Sequence, residues 1–238
     1  MPTANLARMT GIAPLLGAEA LAAPKPHSAL AWYRSAKPVP YPAALTAMEM
    51  RVAEIGGGES PETVWLLQHP PLYTAGTSAD PKELLAPDKF PVFQTGRGGR
   101  YTYHGPGQRV AYVMLDLAAR GGDVRAFVQA LQDWLMGTLK TFGVTGSPMP
   151  GEVGVWVDGA KIASLGIRIR RGITFHGVSL NVSPDLEHFS GIVPCGLEDG
   201  KVTSLKALGI ETDMDAVDRA LMANFPESLS EATSPRSQ

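Results

Sequence analysis

The sequence contains one cysteine, Cys195, within Phe189-Ser190-Gly191-Ile192-Val193-Pro194-Cys195-Gly196. Proline before it and glycine after it place the thiol in a tight turn, not in a helix or a central strand. A thiol in such a turn reads either as a nucleophile or as a small buried hydrophobe. Lys161 opens a second stretch, Lys161-Ile162-Ala163-Ser164-Leu165-Gly166. In an unbulged strand it shares a face with Ala163, Leu165, Ile167 and Ile169, because side chains alternate. On that apolar face desolvation disfavours the ammonium and lowers its pKa; at the strand end the same side chain reaches back to water. The third stretch runs Gly96-Arg97-Gly98-Gly99-Arg100-Tyr101-Thr102-Tyr103-His104-Gly105-Pro106-Gly107-Gln108. Its glycines let backbone approach a ligand and expose N–H donors, and Thr102 and His104 add polar groups. The same glycines would equally serve a plain turn.

Other chemistries find no pattern to stand on. The glycine-rich stretch lacks the lysine and hydroxyl ending of a P-loop and the spacing of a dinucleotide fingerprint. No histidine pair has the spacing of a zinc site, no GxSxG elbow occurs, and a single cysteine forms no intramolecular disulfide or cysteine-based zinc finger. The reading from residues alone is a candidate cysteine nucleophile, with no metal and no cofactor.

The elements that must position these residues can be outlined from periodicity. Residues 42 to 55 place Leu45, Met48, Val52 and Ile55 on one helical face, with Pro42 in the first turn. Thr63 to Leu67 reads as a buried strand, followed by the proline-broken loop Gln68-His69-Pro70-Pro71. A Pro- and Gly-rich loop surrounds 76 to 91, and Arg109 to Leu117 is a further strand. Asp123 caps a helix carrying Val124, Phe127, Val128, Leu131, Leu135, Leu139 and Phe142 on one side and ending before Gly143. Val153 to Val157 and Lys161 to Arg170 flank Asp158-Gly159, the signature of a two-residue type I′ hairpin turn. Arg171-Gly172 turns the chain into Ile173 to Val182. A last amphipathic helix spans about Asp213 to Phe225. Strands outnumber helices without regular alternation, which predicts an α+β fold of mixed sheets with flanking helices.

The 238 residues suit one large domain, and 44% hydrophobic against 18% charged residues is the balance of a soluble globule. A net charge of −2 recommends no nucleic-acid partner. No apolar run approaches the roughly 20 residues of a membrane span. We expect residues 1–27 to form a flexible extension, 28–226 a single catalytic domain and 227–238 a flexible tail, in a cytoplasmic protein.

Taken in order, His69-Pro70-Pro71-Leu72-Tyr73-Thr74, the Arg97 to Gln108 stretch, Lys161 to Gly166, Phe175-His176-Gly177, Leu180-Asn181-Val182 and Pro194-Cys195-Gly196 resemble the lipoyl(octanoyl) transferase family of lipoate biosynthesis. The resemblance runs from about Trp32 to Leu205. It implies the fold of the catalytic domains of lipoate and biotin protein ligases. It also implies an acyltransferase that carries an octanoyl group from octanoyl-acyl carrier protein to a lysine of a lipoyl-accepting domain. The implied acceptors are the lipoyl domains of 2-oxoacid dehydrogenase E2 subunits and the glycine cleavage H protein. By the same resemblance Cys195 holds the acyl group as a thioester and Lys161 lowers its pKa and handles protons. The substrate-binding positions are Arg97, Gly98, Gly99, Arg100, Tyr101, Thr102, Tyr103 and His104, then Ser164, Leu165 and Gly166, then Gly177, Val178 and Ser179. Arg100 departs from the family pattern, in which an acid or amide is more familiar.

Two other classes compete with this reading. An ATP-dependent lipoate- or biotin-type protein ligase would use the same architecture without needing Cys195. A non-catalytic module would bind carrier protein or lipoyl domains without a covalent adduct. Arg168, Arg170, Arg171 and Arg100 read either as a docking surface for an acidic carrier protein or as an ordinary solvated face.

Overall fold

The computed structural model describes residues 15–21, 30–193 and 201–231. Its frame is a seven-stranded mixed sheet built from β1 (Glu19–Leu21), β2 (Ala31–Arg34), β3 (Thr63–Leu67), β7 (Gln108–Met114), β8 (Gly154–Val157), β9 (Ala160–Arg170) and β10 (Ile173–Asn181). The spatial order is β1-β2-β3-β7-β10-β9-β8, and only the β2–β3 pair is parallel. A second sheet of three strands, β4 (Leu72–Ala75), β5 (Val92–Gln94) and β6 (Tyr101–His104), runs in the order β5-β4-β6.

Both faces of the large sheet are covered, so its central strands β3, β7 and β10 are buried throughout. Every residue of β3 is buried. The alternation of a pleated strand divides them between two cores. Val64, Leu66, Ala111 and Val113 face one side and pack with α2 (Val124–Thr141) and α3 (Met214–Ala223) through Phe127, Leu131, Leu135, Val217 and Leu221. Trp65, Leu67, Val110, Tyr112 and Met114 face the other and pack with α1 (Tyr41–Gly57) through Ala44, Met48, Val52 and Ile55. The caps follow the local chemistry. Asp123 accepts from the N–H groups of Arg125 and Ala126, and Asp213 from that of Ala216. Such a cap contributes about 1 kcal/mol.

Both tight turns of the β8-β9-β10 meander take the form their dipeptides predict. Asp158 and Gly159 have φ of 48° and 78°, and Arg171 and Gly172 have 52° and 81°. The structure departs from the sequence reading elsewhere. Tyr101–His104, read within a glycine-rich loop, is a strand; its β-prone tyrosines and threonine outweigh the glycines on either side. Leu15 and Ala18 are buried and β1 pairs with β2, so residues 15–21 of the expected extension pack onto the domain. At the other end Glu227–Ser230 is a short helix, α4, with Leu229 buried. Apolar side chains at these three positions supply the anchoring. The remainder of both terminal segments, 1–14, 22–27 and 232–238, lies outside the described residues. No helix among the described residues is long and apolar enough to cross a membrane.

Candidate active site

A cavity of about 290 Å³ opens where the small sheet meets β9 and β10. One wall comes from the turn before β6 and from β6 itself, with Arg97, Gly99, Arg100, Tyr101, Thr102 and His104. Lys161, Ser164, Leu165 and Gly166 of β9 form a second wall, and Gly177, Val178 and Ser179 of β10 a third. Three segments far apart in sequence therefore meet around one space. They meet because β9 and β10 are paired, with Gly166 opposite Gly177 and Ser164 opposite Ser179.

Close approach explains several of the glycines. A Cβ on Gly76 would lie 2.1 Å from the Gly99 carbonyl oxygen. One on Gly166 would lie 2.8 Å from Arg97 Cδ, and one on Gly177 would lie 2.2 Å from the Ala111 oxygen. Between them runs Arg97, 7% exposed. Its guanidinium donates to the Thr74 carbonyl at 2.9 Å, Thr74 Oγ1 at 2.7 Å, the Arg100 carbonyl at 3.0 Å and the Gly98 carbonyl at 2.9 Å. Arg97 thereby fastens the glycine turn to β4, using the fixed fork of donors that only arginine has.

Lys161 is 6% exposed, deeper than a strand-end lysine reaching for water. Its Nζ donates to the Val153 carbonyl at 3.0 Å and stands 4.8 Å from the centroid of the Trp156 ring. Its backbone carries a second connection: the Lys161 N–H donates to the Lys201 carbonyl at 2.8 Å, and the Thr203 N–H to the Lys161 carbonyl at 2.9 Å. Upstream, the Val193 N–H donates to the Glu83 carbonyl at 2.8 Å. Cys195 falls in 194–200, outside the described residues.

Three buried histidines cluster at this end of the molecule. Burial holds His69 down to a pKa of about 4. Burial, and then neighbouring cationic groups, hold His104 and His176 down to about 3. All three are neutral at pH 7. Because a carbonyl only accepts, His69 Nδ1 carries the proton and donates to Val39 at 2.6 Å, leaving Nε2 to accept from the Tyr112 hydroxyl at 2.6 Å. His104 Nδ1 likewise donates to Gln108 Oε1 at 2.6 Å. His176 adopts φ 60°, a left-handed conformation uncommon outside glycine, and its buried Nε2 has no hydrogen-bond partner among the described residues.

Two expected site residues lie elsewhere. Tyr103 faces the core of the small sheet among Tyr73, Phe90 and Phe189, and its hydroxyl pairs with His188 Nδ1 at 2.8 Å. Strand alternation turns it away from Thr102 and His104. Gly98 also stays off the cavity and donates its N–H to the Ile167 carbonyl at 2.9 Å. Conversely Tyr41, Val110, Tyr112, Glu152 and His176 line the cavity without having been expected there. Alternation along β7 put Val110 and Tyr112 on one face, which was the available signal; Tyr41 and Glu152 reach the site through long-range packing. The carboxylate of Glu83 pairs with the Arg100 guanidinium at the rim. Among the described residues no cluster of metal-ligating side chains occurs.

The family model "Lipoyl protein ligase A/B catalytic domain" matches residues 40–226. The octanoyltransferase of Paramagnetospirillum magneticum is 60% identical over 201 residues, spanning 82% of this chain and 95% of that protein. That of Caulobacter vibrioides is 58% identical over 202 residues, 82% of this chain and 89% of its own length. Among solved structures, lipoate-protein ligase A bound with ATP superposes with a TM-score of 0.60 at 17% identity, over 71% of this chain and 73% of that one. A bi-partite lipoate protein ligase from Thermoplasma acidophilum gives 0.59 at 18% identity, over 77% and 79%. At these identities the structural likeness concerns the fold.

Proposed function

The chain belongs to the lipoyl protein ligase A/B catalytic-domain family, and from that premise we propose that it is an octanoyltransferase of lipoate biosynthesis working through a thioester on Cys195. The observation that carries the reading is the convergence of the Arg97–His104, Ser164–Gly166 and Gly177–Ser179 segments on one cavity with Lys161 in its wall. The donor is octanoyl-acyl carrier protein. The acceptors are lipoyl domains, those of 2-oxoacid dehydrogenase E2 subunits and the glycine cleavage H protein, and the setting is the cytoplasm.

In the first half-reaction the Cys195 thiolate attacks the carbonyl carbon of the donor thioester. A new C–S bond forms, the old one breaks, and the donor sulfur leaves as a thiolate that takes up the proton. A thiol at its reference pKa of about 8.5 is only about 3% ionised at pH 7, so a nearby ammonium is useful to it. Lys161 supplies that charge, and by taking the Cys195 proton and passing it to the departing sulfur it also carries the proton of the step. The larger share of the rate comes from placing the reactants and from N–H donors for the oxyanion, which the glycine turn offers. In the second half-reaction the neutral amine of the acceptor lysine attacks the same carbonyl carbon. The amide forms, and Cys195 leaves as a thiolate and recovers a proton. Thioester to amide is downhill, so the sequence of steps balances without ATP.

Val110 and the rings of Tyr41 and Tyr112 give the tail an apolar lining. Seven carbons withdrawn from water supply about 5–6 kcal/mol of gross binding. The test is incubation with octanoyl-loaded carrier protein followed by intact mass measurement. The chain gains one octanoyl group and Cys195→Ala does not. An adduct that survives in Cys195→Ala removes Cys195 from the mechanism, and transfer that requires free octanoate and ATP replaces this reading with that of a ligase.

A further inference from the structure

Arg97, Arg100 and Lys161 bring positive charge to the cavity wall, and among the described residues that line it the single carboxylate is that of Glu152. Two of the cations are already matched within the protein. Four oxygens receive the Arg97 guanidinium, and Glu83 pairs with Arg100. Glu152 is different. Its side chain is half-buried and makes no hydrogen bond or ion pair among the described residues.

The loop that carries it is fastened at several points. Ser147 and Trp156 exchange backbone hydrogen bonds of 2.8 and 2.9 Å across its base, and the Glu152 N–H donates to the Met149 carbonyl at 3.1 Å. Gln132 Nε2 holds the Gly154 carbonyl at 2.9 Å. The very next residue, Val153, is the one whose carbonyl receives Lys161 Nζ. The backbone that carries the Glu152 carboxylate is thus held at the cavity wall, one residue from the carbonyl that receives Lys161.

We infer that Glu152 is the docking point for the cationic amine of the acceptor, an inference that rests on the octanoyl-transfer reading above. The acceptor lysine arrives as an ammonium and would be repelled by Lys161 if nothing countered it. Glu152 offers the opposing charge at the mouth. The neutral octanoyl thioester of the donor gives a carboxylate nothing to bind, so the effect belongs to the second half-reaction. The ammonium then sheds its proton to water before its nitrogen attacks, and Glu152 determines where and how often the amine waits.

The experiment separates the half-reactions. Wild type and Glu152→Gln are loaded with octanoyl from the carrier protein, freed of donor, and discharged either by a lipoyl domain or by hydroxylamine, a nucleophile uncharged at pH 7. A half-exposed ion pair predicts that the substitution raises KM for the lipoyl domain about two- to fivefold with little change in kcat. Discharge by hydroxylamine changes less than twofold. Added salt narrows the gap between the two proteins. Equal discharge by the lipoyl domain overturns the inference, and so does an equal slowing with both nucleophiles, which would mark a structural role. If the unsubstituted chain fails to load at all, the acyl-enzyme reading falls and this inference falls with it.

Discussion

Lys161 donates a hydrogen bond from its Nζ to the carbonyl of Val153 at 3.0 Å, across the hairpin that Asp158 and Gly159 close. A Cβ on neighbouring Gly154 would lie 2.5 Å from Lys161 Cε, so the stem runs in a channel with no room to spare. The charge is held by the sheet itself. Lys161→Met keeps the stem and deletes the ammonium. Single-turnover loading of octanoyl should fall about 10²- to 10⁴-fold, the range for loss of a positioned proton-transfer group, while the melting temperature moves by only a few degrees. Loading within a few-fold of wild type would remove Lys161 from the chemistry.

Arg100 and Glu83 make a second junction, between the wall of the cavity and the chain that leads toward Cys195. The Glu83 carboxylate meets Arg100, and its own carbonyl accepts from the Val193 N–H. Because the Arg100 side chain is about half exposed, the pair is worth no more than about 1 kcal/mol. Arg100→Glu sets two carboxylates face to face and should slow loading about three- to tenfold. The exchange Glu83→Arg with Arg100→Glu should restore most of the rate. A double variant no better than Arg100→Glu alone would show that the pairing itself does not matter.

The parts of this site that sequence made legible are those encoded by neighbours along the chain. Asp158-Gly159 demands its turn, Asp123 its helix start, and the apolar, β-prone runs Thr63–Leu67 and Arg109–Leu117 their strands. The motif segments identified the walls of the cavity because each wall is continuous in sequence. Pairings across the small sheet were not legible. Nothing near Arg100 points to Glu83, and nothing near Thr74 reveals that Arg97 will bind it. Tyr103 shows a related limit: the glycines on either side of Tyr101–His104 mask its strand alternation, and that alternation is what sends Tyr103 into the aromatic core.

Gly177 offers a sharp test of the backbone geometry. With φ 156° and a would-be Cβ 2.2 Å from the Ala111 carbonyl, alanine there must push β10 away from β7. Backbone strain and overpacking together put the cost of Gly177→Ala at about 2–4 kcal/mol in urea unfolding. The cavity should lose octanoyl loading along with it. A variant as stable as wild type would mean that β7 and β10 yield more readily than their packing indicates.

The three buried histidines give stability a dependence on pH whose sign is determined. His69 titrates at about 4 and His104 and His176 at about 3 in the folded chain, against about 6.5 unfolded. Burial is the first cause in each. Between those limits the unfolded chain binds more protons, so stability rises with pH over this window and levels off above about 6.5. Falling pH reverses the gain. With all three contributing, the loss approaches about 4 kcal/mol per pH unit near pH 5. His176→Asn is the informative variant, because asparagine tolerates the left-handed φ of 60° found there. It removes one of the three protons and should flatten the slope near pH 5 by about a third, up to about 1.4 kcal/mol per pH unit. Urea midpoints at pH 7, 6 and 5 for both proteins decide the matter. A wild-type midpoint that does not change from pH 7 to pH 5 would show that these rings take up protons without unfolding the chain, and hence that they are not held neutral by burial.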